Sequence, residues 1–177
     1  MSAASPPDPP GGTEAAEWPS IVLLRHGPGA RRLRLGLGPG LRPRRAIAQL
    51  QALFHDHCFW ARQRRAADLH RMLRGSQAAV SLWEGPRLVG FGRATSDGVY
   101  RAVLWDVVVA GGHEGQGLGR RLVEALLSAP SLAGVERVYL MTTNSQGFYE
   151  RLGFREGLSQ RLMIHQREDG SGLGPQA

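Results

Sequence analysis

The spacing of apolar positions along this chain changes several times, and each change marks an element. Residues 20–27, SIVLLRHG, carry a short apolar strand pattern, and RRLRLGL (31–37) alternates arginine and leucine with the period of a half-buried strand before a GPGLRP breaker. From Pro43 the period lengthens. Ile47, Leu50, Leu53 and Phe54 fall on one face of a helix that ends near HDHCFW. A second helix is predicted over 63–73, with Ala66, Leu69, Met72 and Leu73 inward and Gly75 as its stop signal. AAVSLWE (78–84) and RLVGFGRATS (87–96) flank a tight EGPR turn as a hairpin. An SDG turn leads into VYRAVLWDVVVA (99–110), a third antiparallel strand. Its continuous Val107-Val108-Val109 end predicts a place deep in the sheet with both faces covered.

A glycine loop then enters a helix over 117–128 with Leu118, Leu122, Ala125 and Leu126 inward. VERVYLMTT (135–143) reads as a core strand. NSQGFYERLGF (144–154) reads as a short helix capped by Asn144 and closed at Gly153, and LSQRLMIHQ (158–166) as a last strand, one that could pair across a twofold axis in a homodimer. The order predicts an α/β class with a mixed, mostly antiparallel central sheet flanked by helices.

Composition narrows the class. With 177 residues and 42% hydrophobic content, one ordinary core is available. The expected organisation is a disordered leader at 1–19, a single domain at 20–166 and a disordered tail at 167–177. No apolar run approaches the roughly 20 residues of a bilayer span, so no membrane partner is expected. The first residues have neither the cationic start nor the apolar core of a secretory signal. Cys58 is the single cysteine, and His55 and His57 are poorly spaced for one helical face, so no metal is expected and a cytoplasmic location is the simplest.

All 22 basic residues are arginine, and the net charge of +7 suits anionic ligands. The densest groups are Arg31, Arg32 and Arg34, then Arg42, Arg44 and Arg45, then Arg62, Arg64 and Arg65; the plain reading of each is a solvated face. An Arg-rich nucleic-acid module is the reading from another class, but no aromatics are interleaved with the basic groups and no nucleic-acid-binding motif is present.

The segment GGHEGQGLGRRLVEALL (111–127) follows the apolar strand directly. Strand, glycine loop and helix make the layout of a phosphate cradle, in which unpaired amides at a helix start face an anion. The Walker pattern fails because no lysine exists, and the dinucleotide pattern fails because Arg120 stands where a glycine is needed. A merely tight turn into a helix is the remaining alternative.

At these residues a resemblance appears. VVVAGGHEGQGLGRRLVEALL followed by VERVYLMTTNSQGFYERLGF is similar to the two sequence motifs of the GNAT (Gcn5-related N-acetyltransferase) superfamily. Residues 92–97, GRATSD, and the Trp105-Asp106-Val107-Val108-Val109 stretch resemble its plastid and cyanobacterial branch, related to plant serotonin N-acetyltransferase. The resemblance implies a GNAT-like sheet and acetyl-CoA as donor. It implies that the backbone of Val107, Val108 and Val109 binds the acetyl and pantetheine groups. The amides of Gly115, Gln116, Gly117, Leu118, Gly119 and Arg120 would hold the pyrophosphate. Two departures stand out: Glu114 replaces the usual Gln or Arg, and Asn144 lies closer to Tyr149 than the family spacing, so it is either a cofactor contact or only a helix cap.

The implied reaction is acetyl transfer to a primary amine by direct attack. The acceptor is a small arylalkylamine such as serotonin, with a protein N-terminus or lysine as the alternative; a non-catalytic acyl-CoA sensor would use the same fold. Tyr149 matches the family's general acid. The amide of Val108 or Val109 is the expected oxyanion donor. Asp106, an acid in an apolar run, is either the base or a structural carboxylate paired with a buried arginine. His113 and Glu114 sit beside the phosphates and are poorer bases, and Asp97 reads as a turn residue. Phe59 and Trp60 form either an acceptor wall or a hydrophobic plug.

Overall fold

The computed structural model describes residues 21–28, 43–157 and 161–165. The predicted leader, the RRLRLGL strand, the first two arginine groups up to Arg42, residues 158–160 and the tail lie outside them. The chain divides into two units, with the boundary between Met141 and Thr142.

The first unit is built on one sheet. Among the described residues its strands are β1 (Ile21–His26), β2 (Ala78–Glu84), β3 (Arg87–Ser96), β4 (Arg101–Val109) and β5 (Arg137–Tyr139), in spatial order β1-β2-β3-β4-β5. The first four pair antiparallel, and β5 joins β4 in parallel, so the sheet is mixed and mostly antiparallel as the pattern predicted. Helix α1 (Pro43–His57) begins on a proline, whose missing N–H costs nothing at a helix start. Its predicted face, Ile47, Leu50, Leu53 and Phe54, is buried. A 3₁₀ turn (Phe59–Ala61) leads to α2 (Ala66–Arg74), and α3 (Leu118–Leu127) follows the glycine loop.

Alternation along β3 sets the two layers. Phe91 meets Phe54 of α1 edge-on at 5.8 Å. A Cβ on Gly90 would fall 3.4 Å from Leu122 Cδ1, and one on Gly92 3.1 Å from Leu126 Cδ1, both on α3. So α1 covers one face of the sheet and α3 covers the other; Gly92 lets α3 approach closely, while at Gly90 the tight neighbour of an added Cβ is Leu82 Cδ1 of β2 at 2.9 Å.

Four expectations are corrected. The second helix starts at Ala66 rather than residue 63, and Ala66 is exposed, because residues 62–65 are held in a separate connection. Val107 and Val109 are half-buried while Val108 is buried; β4 has no strand partner on its β5 side past Val103 among the described residues. The strand expected over 135–143 is only Arg137–Tyr139, a short edge strand. Residues 161–165 form no strand.

In the second unit, helix α4 spans Gln146–Glu150, and its N-cap is Ser145, not Asn144. The amide of Ser145 donates to Thr142 Oγ1 at 3.2 Å, which makes the entry turn. Gly153 closes the segment at φ 88, a left-handed conformation that glycine adopts freely.

Candidate active site

Strand β4 carries a bulge. Arg93 pairs with Trp105 and Phe91 with Val108, so Asp106 and Val107 together stand opposite Gly92. Asp106 takes φ 54 and is the one non-glycine residue in the left-handed region among the described residues. Aspartate is among the few side chains that visit this region.

One extra residue reverses the alternation of a strand. Before the bulge Asp97 N donates to Arg101 O, so Arg101, Val103 and Trp105 turn their backbone groups to β3. Beyond it Ala110 N donates to Val89 O at 2.8 Å. Counting back from Ala110, Val108 faces β3, and Val107 and Val109 turn their N–H and C=O groups to the other edge. Along that edge β5 pairs only with Arg101, Ala102 and Val103. Of the two amides expected as oxyanion donor, that of Val109 therefore faces the edge left without a strand partner among the described residues, and that of Val108 faces β3.

The Asp106 carboxylate is 3% exposed and engages two guanidinium groups. Arg64 Nη1 lies 2.9 Å from Oδ1, and Arg93 Nε donates to Oδ2 at 2.7 Å. Arg64 also stands over the Phe54 ring at 5.2 Å, while its carbonyl accepts Gln51 Nε2 at 3.0 Å. Arg93 stands over Trp105 at 5.6 Å, and Trp105 Nε1 donates to Thr95 Oγ1. Cys58 lies in the same region. Burial pushes its thiol up to about 12, helped by the charge of Asp106 and opposed by Arg64, so it stays protonated.

Beyond β4 the loop needs glycine for conformation rather than space. Gly112, Gly115 and Gly117 have φ of 84, 75 and 73, and an added Cβ on any of them meets nothing within 4 Å. Gly117 is the N-cap of α3 and makes no side-chain cap bond. Arg121 N bonds Gly117 O, which leaves the amides of Leu118, Gly119 and Arg120 as first-turn donors. The guanidinium of Arg120 engages Glu124, and that of Arg121 donates to Ile21 O. Glu114 turns back toward the strand, where its carboxylate accepts Gly112 N at 2.8 Å. Its own amide and that of Gly112 hold its pKa below the usual carboxylate range. Gly111 N donates to His57 Nδ1 at 3.3 Å, tying the end of α1 to the loop, and His113 Nε2 lies 3.9 Å from Glu84 Oε2.

Phe59 and Trp60 are 58% and 52% exposed and meet edge-on at 5.0 Å, which excludes the plug reading. Asp97 is a turn residue as expected, its Oδ1 accepting the amides of Val99, Tyr100 and Arg101. In the second unit Asn144 is exposed, and Tyr149 packs edge-on against Phe148 and Phe154. Burial raises the Tyr149 phenol above its usual value.

Sequence reasoning missed Arg64, Arg93 and His57 as parts of this site. The available signal was Asp106 itself, since a carboxylate in an apolar run needs a cationic partner.

Residues 46–154 match the acetyltransferase (GNAT) family. A Glycine max protein named histone acetyltransferase TAP1 is 35% identical over 115 residues, covering 63% of this chain and 46% of that protein. An Oryza sativa protein named serotonin N-acetyltransferase 2, chloroplastic, is 45% identical over 69 residues, covering 38% of this chain and 34% of that protein. A Xanthomonas campestris structure described as belonging to the GNAT family aligns with a TM-score of 0.60 and 32% identity, over 68% of this chain and 85% of that one. The match spans less than half the length of these plant relatives.

Proposed function

This chain belongs to the acetyltransferase (GNAT) family, and we propose that it transfers acetyl from acetyl-CoA to the primary amine of a small arylalkylamine such as serotonin. The observation that carries the reading is the juxtaposition along one strand and loop. Val107 and Val109 turn backbone groups away from β3 past the end of the β4–β5 pairing, and the loop with unpaired helix-start amides begins two residues after Val109.

These residues fit the donor. The backbone of Val107–Val109 would hold its acetyl and pantetheine end, with the Val109 amide directed at the acetyl oxygen. The amides of Gly115 to Arg120 would receive its diphosphate, because they supply N–H donors and the positive end of a helix dipole. Glu114 keeps its charge at Gly112 and leaves the amides of the helix start to the anion. Asn144 is proposed as a cofactor contact. Tyr149 is proposed as the acid that returns a proton to the leaving thiolate, and burial supports this by keeping the phenol protonated.

The exposed Phe59–Trp60 pair is proposed as the acceptor wall, and flat aromatic surface favours an aromatic amine over a polyamine. A peptide acceptor is the second reading. It is favoured by the openness of this pair and by the name of the soybean relative, a histone acetyltransferase.

The test is thiol release from acetyl-CoA in the presence of serotonin, spermidine and peptides with free N-termini or lysines. Serotonin turnover well above the others supports the first reading, and peptide turnover supports the second. Calorimetry that detects no acetyl-CoA binding would remove both.

A further inference from the structure

We propose that Arg64, Asp106 and Arg93 form a positioning clamp that sets which amides of β4 face the open edge, and that Asp106 is not the base. The proposal rests on the reading above in one respect, the role of the Val109 amide as oxyanion donor.

Two independent observations meet at Asp106. The backbone takes a left-handed conformation at the residue that makes the bulge. The side chain of the same residue is closed from solvent with one guanidinium on each oxygen. The backbone conformation is costly for a residue with a Cβ and persists only where its surroundings over-determine it. The two arginines supply that constraint. Without the bulge, alternation would turn Val107 and Val109 toward β3 and Asp106 and Val108 outward. The carboxylate thus acts through the backbone, by holding the extra residue in place.

Arg64 gives the clamp its second consequence. It lies in the connection between the Phe59–Ala61 turn and α2, where Arg64 N bonds Ala61 O at 3.2 Å. One carboxylate therefore joins the segment that carries Phe59 and Trp60 to the segment that carries the Val109 amide. A shift of the aromatic segment on acceptor binding is transmitted to the donor through a single ion pair. The carboxylate is also closed from solvent with a guanidinium on each oxygen, so neither oxygen is presented to an acceptor amine, and this argues against general-base work at Asp106.

The experiment uses the full chain with acetyl-CoA and serotonin as probes. Asp106→Asn, Asp106→Gly, Asp106→Ala, Arg64→Gln and Arg64→Lys are compared with Arg74→Gln, an exposed control at the end of α2. Arg64→Gln is expected to lower kcat about tenfold or more while calorimetric affinity for acetyl-CoA changes less than about threefold, and Arg64→Lys is expected to recover part of the loss. Asp106→Gly, which adopts the left-handed conformation freely, is expected to retain more activity than Asp106→Ala. Asp106→Asn is expected to lower kcat without changing the shape of the pH profile.

Loss of the acidic limb in Asp106→Asn would make Asp106 the base and overturn the proposal. So would equal activities of the Gly and Ala variants, or wild-type kcat in Arg64→Gln. If the wild type fails to acetylate serotonin, the function reading falls alone. The clamp is then read by amide exchange of residues 104–110, which must quicken in Arg64→Gln and not in Arg74→Gln; unchanged exchange overturns it.

Discussion

The carboxylate of Glu114 accepts the amide of Gly112 at 2.8 Å and so folds back on its own loop toward the strand. This explains how a negative residue stands where the family has a neutral or cationic one. Its charge is spent on amides at the start of the loop, and the helix-start amides beyond Gly117 stay available.

Glu114→Gln removes a charge near the anion but keeps a hydrogen-bond acceptor. Affinity for acetyl-CoA is expected to rise roughly two- to fivefold at low ionic strength, and the gain should shrink in 0.5 M salt as screening shortens. Calorimetry at two salt concentrations measures both effects. Weaker binding in the variant would mean that the carboxylate organises the loop more than it repels the ligand.

Gly117 offers a cleaner view of loop geometry. Its φ is 73, and a Cβ there would meet nothing within 4 Å, so Gly117→Ala adds strain without a clash. The cost is expected to be about 1–2 kcal/mol. A fall in the urea midpoint of matching size, together with weaker acetyl-CoA binding, is the expected result. An unchanged midpoint would show that the loop relaxes at no cost.

His26 makes stability depend on pH. Burial lowers its pKa from 6.5 to about 4 in the folded chain, where its Nε2 lies 2.9 Å from Ser81 Oγ. The unfolded chain binds the proton more readily, so the contribution is complete above pH 6.5 and is lost as pH falls toward 4. The loss should amount to at most about 3 kcal/mol. Urea midpoints across this range should decline in wild type and decline less in His26→Gln. Parallel slopes would assign the acid sensitivity to other groups.

Local patterns carried the parts of the fold that need no partner to be read. Helix α1, the β2–β3 hairpin and helix α3 follow from spacing and turn residues. The bulge does not follow, because a one-residue slip leaves an apolar run looking apolar, and only Asp106 betrays it. The end of β5 does not follow either: VYLM satisfies a strand pattern, but whether it pairs depends on a neighbour far away in sequence. Beside Arg62 and Arg65 in the sequence, Arg64 reads as solvated charge, and its partner Asp106 lies on another element, beyond the reach of any periodicity.

Tyr149→Phe keeps the edge-on contacts with Phe148 and Phe154 and removes the proton. Under the proposed acid role kcat should fall about 10²- to 10⁴-fold with acetyl-CoA affinity retained. Because burial raises the phenol, the alkaline limb of the wild-type profile is expected above pH 10. Unchanged turnover in the variant would leave the tyrosine a packing residue.

The Phe59–Trp60 pair separates the two acceptor readings. Both rings are more than half exposed, so replacing Trp60 with alanine removes little buried surface, and stability should change by less than about 0.5 kcal/mol. A change in turnover can then be read as a change in acceptor contact. If the pair is a wall for an aromatic amine, Trp60→Ala should raise KM for serotonin by roughly five- to thirtyfold, since losing one stacked ring costs about 1–2 kcal/mol, while KM for acetyl-CoA stays put. If the acceptor is a peptide, the same variant should leave serotonin turnover low and unchanged and alter the peptide KM instead. Equal KM values for every acceptor in wild type and variant would take the aromatic pair out of the acceptor site and point to a surface that serves another contact.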